Sequence, residues 1–177
     1  MVDDVYVIEI VRHKFFCIIQ ENELIAFLHG QSYSNDIIRN GFVVFEVYTD
    51  LKHRNSGHAS TLYEYLYRTL GYDILSDKEQ TNAGIKLWKN LKSQYGSEVA
   101  IYDTETNTVL DYDDVPLENL YINGSSNSKL SNRYRLLLTK NQHKPIIEGH
   151  GLPEMNWENS VLNKPHRHYT AKELNWI

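Results

Sequence analysis

The chain has 177 residues, of which 41% are hydrophobic and 23% are charged, a composition typical of one globular domain and unlike that of a disordered or fibrous chain. With 23 acidic against 18 basic residues the net charge is -5, which disfavours broad binding to a nucleic-acid backbone. No apolar run approaches the roughly 18 residues of a membrane span, and the start "MVDDVYVIEI" is acidic, so we expect a cytoplasmic protein with no membrane partner. Cys17, within "FFCII", is expected to be a buried apolar residue.

The first 50 residues are predicted to form antiparallel strands, because β-branched and aromatic residues dominate them between short polar turns. Strand candidates are "VYVIEIV" (5–11), "KFFCIIQ" (14–20), "LIAFLHG" (24–30) and "FVVFEVYTD" (42–50). Turn-forming residues over 31–41 separate the third candidate from the fourth.

After Asp50 the hydrophobic period changes to that of amphipathic helices. Helices are predicted over 59–70 and 80–94, each closed by a glycine, with a short strand "YDILSD" (72–77) between them. The stretch 97–114 alternates like a hairpin with its turn at "TETN". This order predicts an α+β fold in which helices pack against a mixed, mostly antiparallel sheet.

The remaining residues, 115–177, are less regular, although "RYRLLLT" could add one more strand. We therefore divide the chain into a core over 1–114 and an irregular C-terminal extension over 115–177 that packs on the same domain. Histidines such as His166 and His168 complete no recognised zinc pattern, and no metal site is predicted.

The segment "HRNSGHAS" joins the fourth strand candidate to the first helix. A small-residue loop that enters a helix exposes backbone N–H groups at the positive end of the helix dipole, which favours an anion. Gly57 allows close approach, and Arg54 supplies a positive charge. An ordinary helix start is the alternative interpretation.

The pattern Arg-x-x-Gly-x-Ala, on Arg54, Gly57 and Ala59, together with the order of elements, resembles the GNAT family of N-acetyltransferases. The resemblance covers about residues 5–112 and is strongest over 42–95. "ILSD" followed by "LWKNL" also resembles acetyltransferase-like proteins of tailed bacteriophages, and a viral member would act in the host cytoplasm.

This resemblance implies a GNAT-like fold in which strands 4 and 5 splay apart to bind acetyl-CoA. The pantetheine arm would pair with the main chain near Val47, Tyr48 and Thr49, and the pyrophosphate would rest on amides of residues 55–59. The implied cofactor-binding residues are Val47, Tyr48, Thr49, Arg54, Asn55, Ser56, Gly57, His58, Ala59, Ser60 and Thr81.

Three residues are candidates for catalysis under this resemblance. Glu46 is a candidate base, but strand alternation places it opposite Val43, Phe45 and Val47, unless a β-bulge reverses that placement. Asp77 follows the fifth strand at the mouth of the splay. Tyr48 is a candidate proton donor.

Each candidate has a plain structural alternative. Glu46 could be a solvent-facing or structurally paired glutamate, and any single tyrosine could serve packing. In "SDKEQ", Ser76 or Asp77 could cap the next helix, with Gln80 completing a capping box. Trp88 stands where the family often has a tyrosine that protonates the leaving thiolate.

Two functions are favoured from the sequence, and a third, acyl modification of DNA bases by a relative of this fold, is disfavoured by the acidic charge. The first is acetyl-CoA-dependent N-acetyltransferase activity, by direct transfer to an amine of a protein or small molecule. The second is a catalytically degenerate relative that binds a host factor or blocks a defence, for which the tail aromatics Trp157, Tyr169 and Trp176 are candidate anchors. The amine acceptor is not identified, and the oligomeric state is left open with a homodimer as one option.

Overall fold

A computed structural model describes residues 5–10, 12–78, 80–116 and 133–140, together with the backbone of residues 168 and 169. Within these residues, nine strands form one sheet. The strands are β1 (Val5–Ile10), β2 (His13–Gln20), β3 (Glu23–Tyr33), β4 (Gly41–Thr49), β5 (Asp73–Leu75), β6 (Val99–Asp103), β7 (Thr108–Asp111), β8 (Tyr134–Leu138) and β9 (His168–Tyr169). The helices are α1 (His58–Glu64), which continues as a π-helical turn over Tyr65–Thr69, and α2 (Asn82–Tyr95).

The sheet is mixed and mostly antiparallel, as predicted. Its strand order is β7-β6-β8-β5-β4-β3-β2-β1-β9, and among the described pairings only β4–β5 and β1–β9 are parallel. The predicted meander β1–β3 and the hairpin β6–β7, with its turn at residues 104–107, are confirmed. The segment "RYRLLLT" does form a strand, and β8 lies between β5 and β6, where it pairs with both.

Both helices pack on the same face of the sheet. Their apolar side chains, including Leu66 and Trp88, share one buried cluster with Phe16, Phe42 and Leu136 from the strands. On the opposite face, Ile38 from the 34–40 loop covers a second buried cluster around Val43 and Leu137. Cys17 is fully buried on that face, and burial raises the pKa of its thiol to about 12, as expected for an apolar packing residue.

The start of α2 differs from the prediction. The helix begins at Asn82 because the Thr81 hydroxyl accepts a hydrogen bond from Gly84 N at 3.1 Å and caps it. Ser76 is buried instead, and its Oγ accepts a hydrogen bond from Leu136 N at 3.0 Å. The interpretation of "SDKEQ" as the cap of this helix is therefore wrong.

Most of the tail, including Trp157, His166 and Trp176, lies outside the described residues. No helix in the described part of the chain combines the length and apolar character that a membrane span needs.

Candidate functional site

Strands β4 and β5 separate after a short parallel contact. Gly41, Phe42 and Val43 pair with β5, which then ends at Leu75, whereas β4 continues to Thr49. Over residues 44–49, β4 pairs with β3 along its other edge only. The edge that faces β5 has no strand partner there among the described residues, and the predicted splay is confirmed.

A cleft of about 730 Å³ occupies this splay. Its walls come from β4, the loop before α1, the first turns of α1, the segment after β5 and one face of α2. With the exception of Ser56, all the predicted site residues line it: Glu46, Val47, Tyr48, Thr49, Arg54, Asn55, Gly57, His58, Ala59, Ser60, Asp77 and Thr81. The structure thus brings together residues that the sequence separates by more than thirty positions.

The loop before α1 has two residues in the left-handed region, Asn55 at φ +65° and Gly57 at φ +86°. Gly57 is the N-cap of α1, and no side chain caps this end of the helix. The N–H groups of its first turn therefore lack the side-chain acceptor that Thr81 provides for α2. A methyl group at Gly57 would meet no atom within 4 Å, so the space beside it is open.

Charges of opposite sign come from different walls of the cleft. Arg54, from the loop before α1, and Lys86, from α2, are basic. Glu46, from β4, and Asp77, after β5, are acidic. The Arg54 Nε also donates a hydrogen bond to Thr49 O at 3.3 Å, which ties this loop to the end of β4. This arrangement suits a ligand with an anionic part and a cationic part.

A β-bulge determines which way Glu46 points. In the β3–β4 register His29 pairs with Glu46 and Gly30 pairs with Val44, so Phe45 is the extra residue of β4. The residues on either side follow this shift, since Val44 and Val47 both contact the helix-side cluster. Glu46 therefore shares the other face with Phe45, and the placement expected from simple alternation is wrong for this pair.

Asp77 does not cap α2. Its Oδ1 accepts a hydrogen bond from Lys78 N at 2.7 Å, and its carbonyl oxygen accepts one from Gln80 Nε2 at 3.1 Å. The carboxylate is close enough to affect Tyr63 of α1: burial raises the pKa of the Tyr63 hydroxyl, and the charge of Asp77 raises it further. Asp77 and Tyr63 both line the cleft.

Trp88 is almost completely buried and does not line the cleft. Its ring packs edge to face against Tyr63 at 5.7 Å between centroids. Tyr63, by contrast, lines the cleft, and sequence reasoning missed it.

Lys86 and Asn90 were also missed as wall residues. Together with Ala83 they recur at spacings of three and four along α2, which places them on one helical face. That spacing is readable in the sequence and could have identified them. Among the described residues, no group of three or more His, Cys, Asp or Glu side chains could hold a metal ion.

Known proteins similar to this chain were found among solved structures only. No protein-family model matches the sequence, and no curated protein matches it. One similar solved structure is described as an acetyltransferase of the GNAT family from Bacteroides thetaiotaomicron. It is 13% identical with a TM-score of 0.41, and the match covers 74% of this chain but only 64% of that chain.

Another similar structure is the ribosomal-protein-S18-alanine N-acetyltransferase from Escherichia coli, at 21% identity and a TM-score of 0.38. That match covers 64% of this chain and 77% of the other. Similarities at these identities and TM-scores assign no function to this chain.

Proposed function

We propose that this protein is an acetyl-CoA-dependent N-acetyltransferase, which transfers an acetyl group directly to an amine of a protein or a small molecule. One observation carries the proposal: a single cleft joins the unpaired edge of β4 to the uncapped start of α1. An extended thioester donor with a pyrophosphate needs both features. Its amide groups pair with a free strand edge, and its phosphates accept hydrogen bonds from backbone N–H groups at a helix start.

The donor's binding would depend mainly on backbone groups. The pantetheine amides would pair with β4 near Val47, Tyr48 and Thr49, in the manner of an added strand. The pyrophosphate would accept hydrogen bonds from the loop of residues 55–59, with Arg54 as a nearby counter-charge. Ser60 would add a hydroxyl donor to the same group.

The acidic end of the cleft would receive the acceptor. An amine must lose protons to become acetylated, and Glu46 and Asp77 are the carboxylates in the wall that could accept one. Tyr48 lines the same cleft as a candidate donor for the departing thiolate. We assign Glu46 the first role because the bulge turns it to the face where Phe45 and His29 also lie.

Binding can be tested by calorimetry with acetyl-CoA on the wild type and on Gly57→Ala. The new methyl group would enter the open space where the phosphates are expected, so the affinity should fall about tenfold or more. Gly71→Ala is the matched control, because Gly71 also has a positive φ and open surroundings but lies outside the cleft. Absence of acetyl-CoA binding by the folded wild type would refute the proposal. An equal loss of affinity in both variants would show that the loop at Gly57 does not contact the phosphates.

A second function is supported by the burial of Trp88. Trp88 is almost completely buried and is not part of the cleft wall, so it does not replace a tyrosine that donates a proton to a thiolate there. A protein that keeps the cleft but no longer transfers acetyl groups, and instead binds a host factor, is therefore the alternative. Release of free thiol from acetyl-CoA with a panel of amines and peptides, lost in Glu46→Gln, would exclude it.

A further inference from the structure

Two histidines on neighbouring strands form a hydrogen-bonded pair. His13 Nδ1, at the start of β2, lies 2.9 Å from His29 Nε2 of β3. The His29 ring is stacked on Phe15 with 4.4 Å between centroids, which holds it in place. His29 is half-buried whereas His13 is exposed, so the pair connects the sheet surface beside β4 with solvent.

The inner member of this pair lies beside the acidic end of the cleft. His29 is the direct cross-strand neighbour of Glu46, and the bulge at Phe45 puts both on one face of the sheet. The Phe45 ring contacts His29 edge to face at 5.6 Å, and both Phe45 and Glu46 line the cleft. Within the described structure no direct hydrogen bond joins Glu46 to His29, so a proton passing between them would move through water.

The charges around His29 suit a group that accepts a proton and passes it on. Burial lowers the pKa of the His29 imidazole, and the neighbouring His13 lowers it further, while Glu46 raises it. Among the described residues, His13 from β2 and Glu46 from β4 are the titratable groups whose charges affect it. Phe27 and Gln31, two positions away along β3, carry no charge. Neutral His29 therefore has its Nδ1 free to receive a proton when its Nε2–H donates to His13 Nδ1.

We propose that the His29–His13 pair conducts to solvent the proton that Glu46 takes from the acceptor amine. This inference rests on the proposed acetyltransferase function. An ammonium acceptor loses two protons as its nitrogen bonds to the acetyl carbon and the carbon–sulphur bond breaks. One proton ends on the thiol sulphur, and the other must leave the protein. Glu46 receives it, His29 takes it from Glu46 through water, and His13 releases it.

His29 and His13 are thus positioning and relay residues that act through Glu46. The first test is the pH profile of kcat/KM. In the wild type we expect kcat/KM to fall at acid pH, below the ordinary histidine pKa of 6.5, because burial lowers the pKa of His29 and a protonated His29 cannot accept another proton. His29→Gln should lose this acid limb and about tenfold or more in kcat, with unchanged affinity for acetyl-CoA by calorimetry.

Two further measurements separate a relay from a structural role. In His13→Ala, added imidazole should restore turnover, because the site is exposed. Gln31→Asn, beside His13 in the register, is the packing control and should leave the pH profile unchanged. Histidine NMR titration should show a lower His29 pKa in Glu46→Gln than in the wild type, since the carboxylate raises it.

The outcomes distinguish the two proposals. No turnover by a wild type that binds acetyl-CoA refutes the acetyltransferase function, and the relay with it. Turnover with the same pH profile in the wild type and His29→Gln, or no rescue by imidazole, refutes the relay alone.

Discussion

Gly30→Ala should destabilise the protein strongly, because Gly30 lies opposite the bulge that orients Glu46. A Cβ at this position would overlap the carbonyl oxygen of Val43 and come within 2.5 Å of the Phe42 ring. The first obstacle is backbone inside a paired ladder, which cannot rotate away as a side chain can. Overpacking a core typically costs about 1–3 kcal/mol, and we expect the upper end, about 3 kcal/mol.

The measurement is urea and thermal unfolding followed by circular dichroism. For a chain of this size, about 3 kcal/mol corresponds to a fall of about 6–12 °C in Tm. Gly71→Ala is the control: its methyl group would meet nothing, so only the strain of a left-handed alanine remains, about 1 kcal/mol. If Gly30→Ala lost no more stability than Gly71→Ala, the close approach of β3 and β4 at the bulge would be refuted.

Two other variants test local interactions. Thr81→Ala removes the cap of α2 and should cost about 1 kcal/mol of unfolding free energy in urea unfolding; an unchanged stability would contradict the capping role. Asp103→Asn breaks the buried carboxylate's bonds from Arg133 Nε and Nη2, at 3.0 and 2.7 Å. The Arg133 guanidinium holds the pKa of Asp103 below its usual 3.8, so the unfolded state protonates first as pH falls. The variant should therefore be less stable at pH 7, and its deficit should shrink below about pH 4; a constant deficit down to pH 3 would contradict this.

Local patterns were sufficient for the elements and for most of the cleft wall. After Asp50 the hydrophobic residues change from a spacing of two to a spacing of three or four, and this change placed the boundary between β4 and α1 correctly. It did so because each element buries one face in the core between the sheet and the helices. Small residues around Gly57 indicated an open helix start, and the structure has one there. These features depend on residues that are close in sequence.

The bulge and the start of α2 could not be obtained in the same way. Simple alternation assumes that each residue of one strand faces one residue of the next, and nothing in "FVVFEVYTD" marks Phe45 as the extra residue. The register with β3 decides it, since Gly30 pairs with Val44 and His29 pairs with Glu46. Ser76 is a plausible helix cap by its sequence, but its hydroxyl oxygen instead accepts a hydrogen bond from Leu136 N of β8, which is 60 positions away. Both errors arise where a partner distant in sequence determines the local conformation.

The same distant contact explains why the cleft stays open. The end of β5 is held from its far side, since Ser76 Oγ accepts from Leu136 N and Ser76 O accepts from Arg135 Nη1 at 3.4 Å. With β5 fixed to β8, the longer β4 has no strand partner on this edge beyond Val43 in the described chain, and a ligand can pair there instead. Under the proposed function, donor binding would depend on strand lengths and backbone, whereas transfer would depend on side chains that the bulge orients. Variants at Gly57 should therefore change Kd for acetyl-CoA, and variants at Glu46 should change kcat.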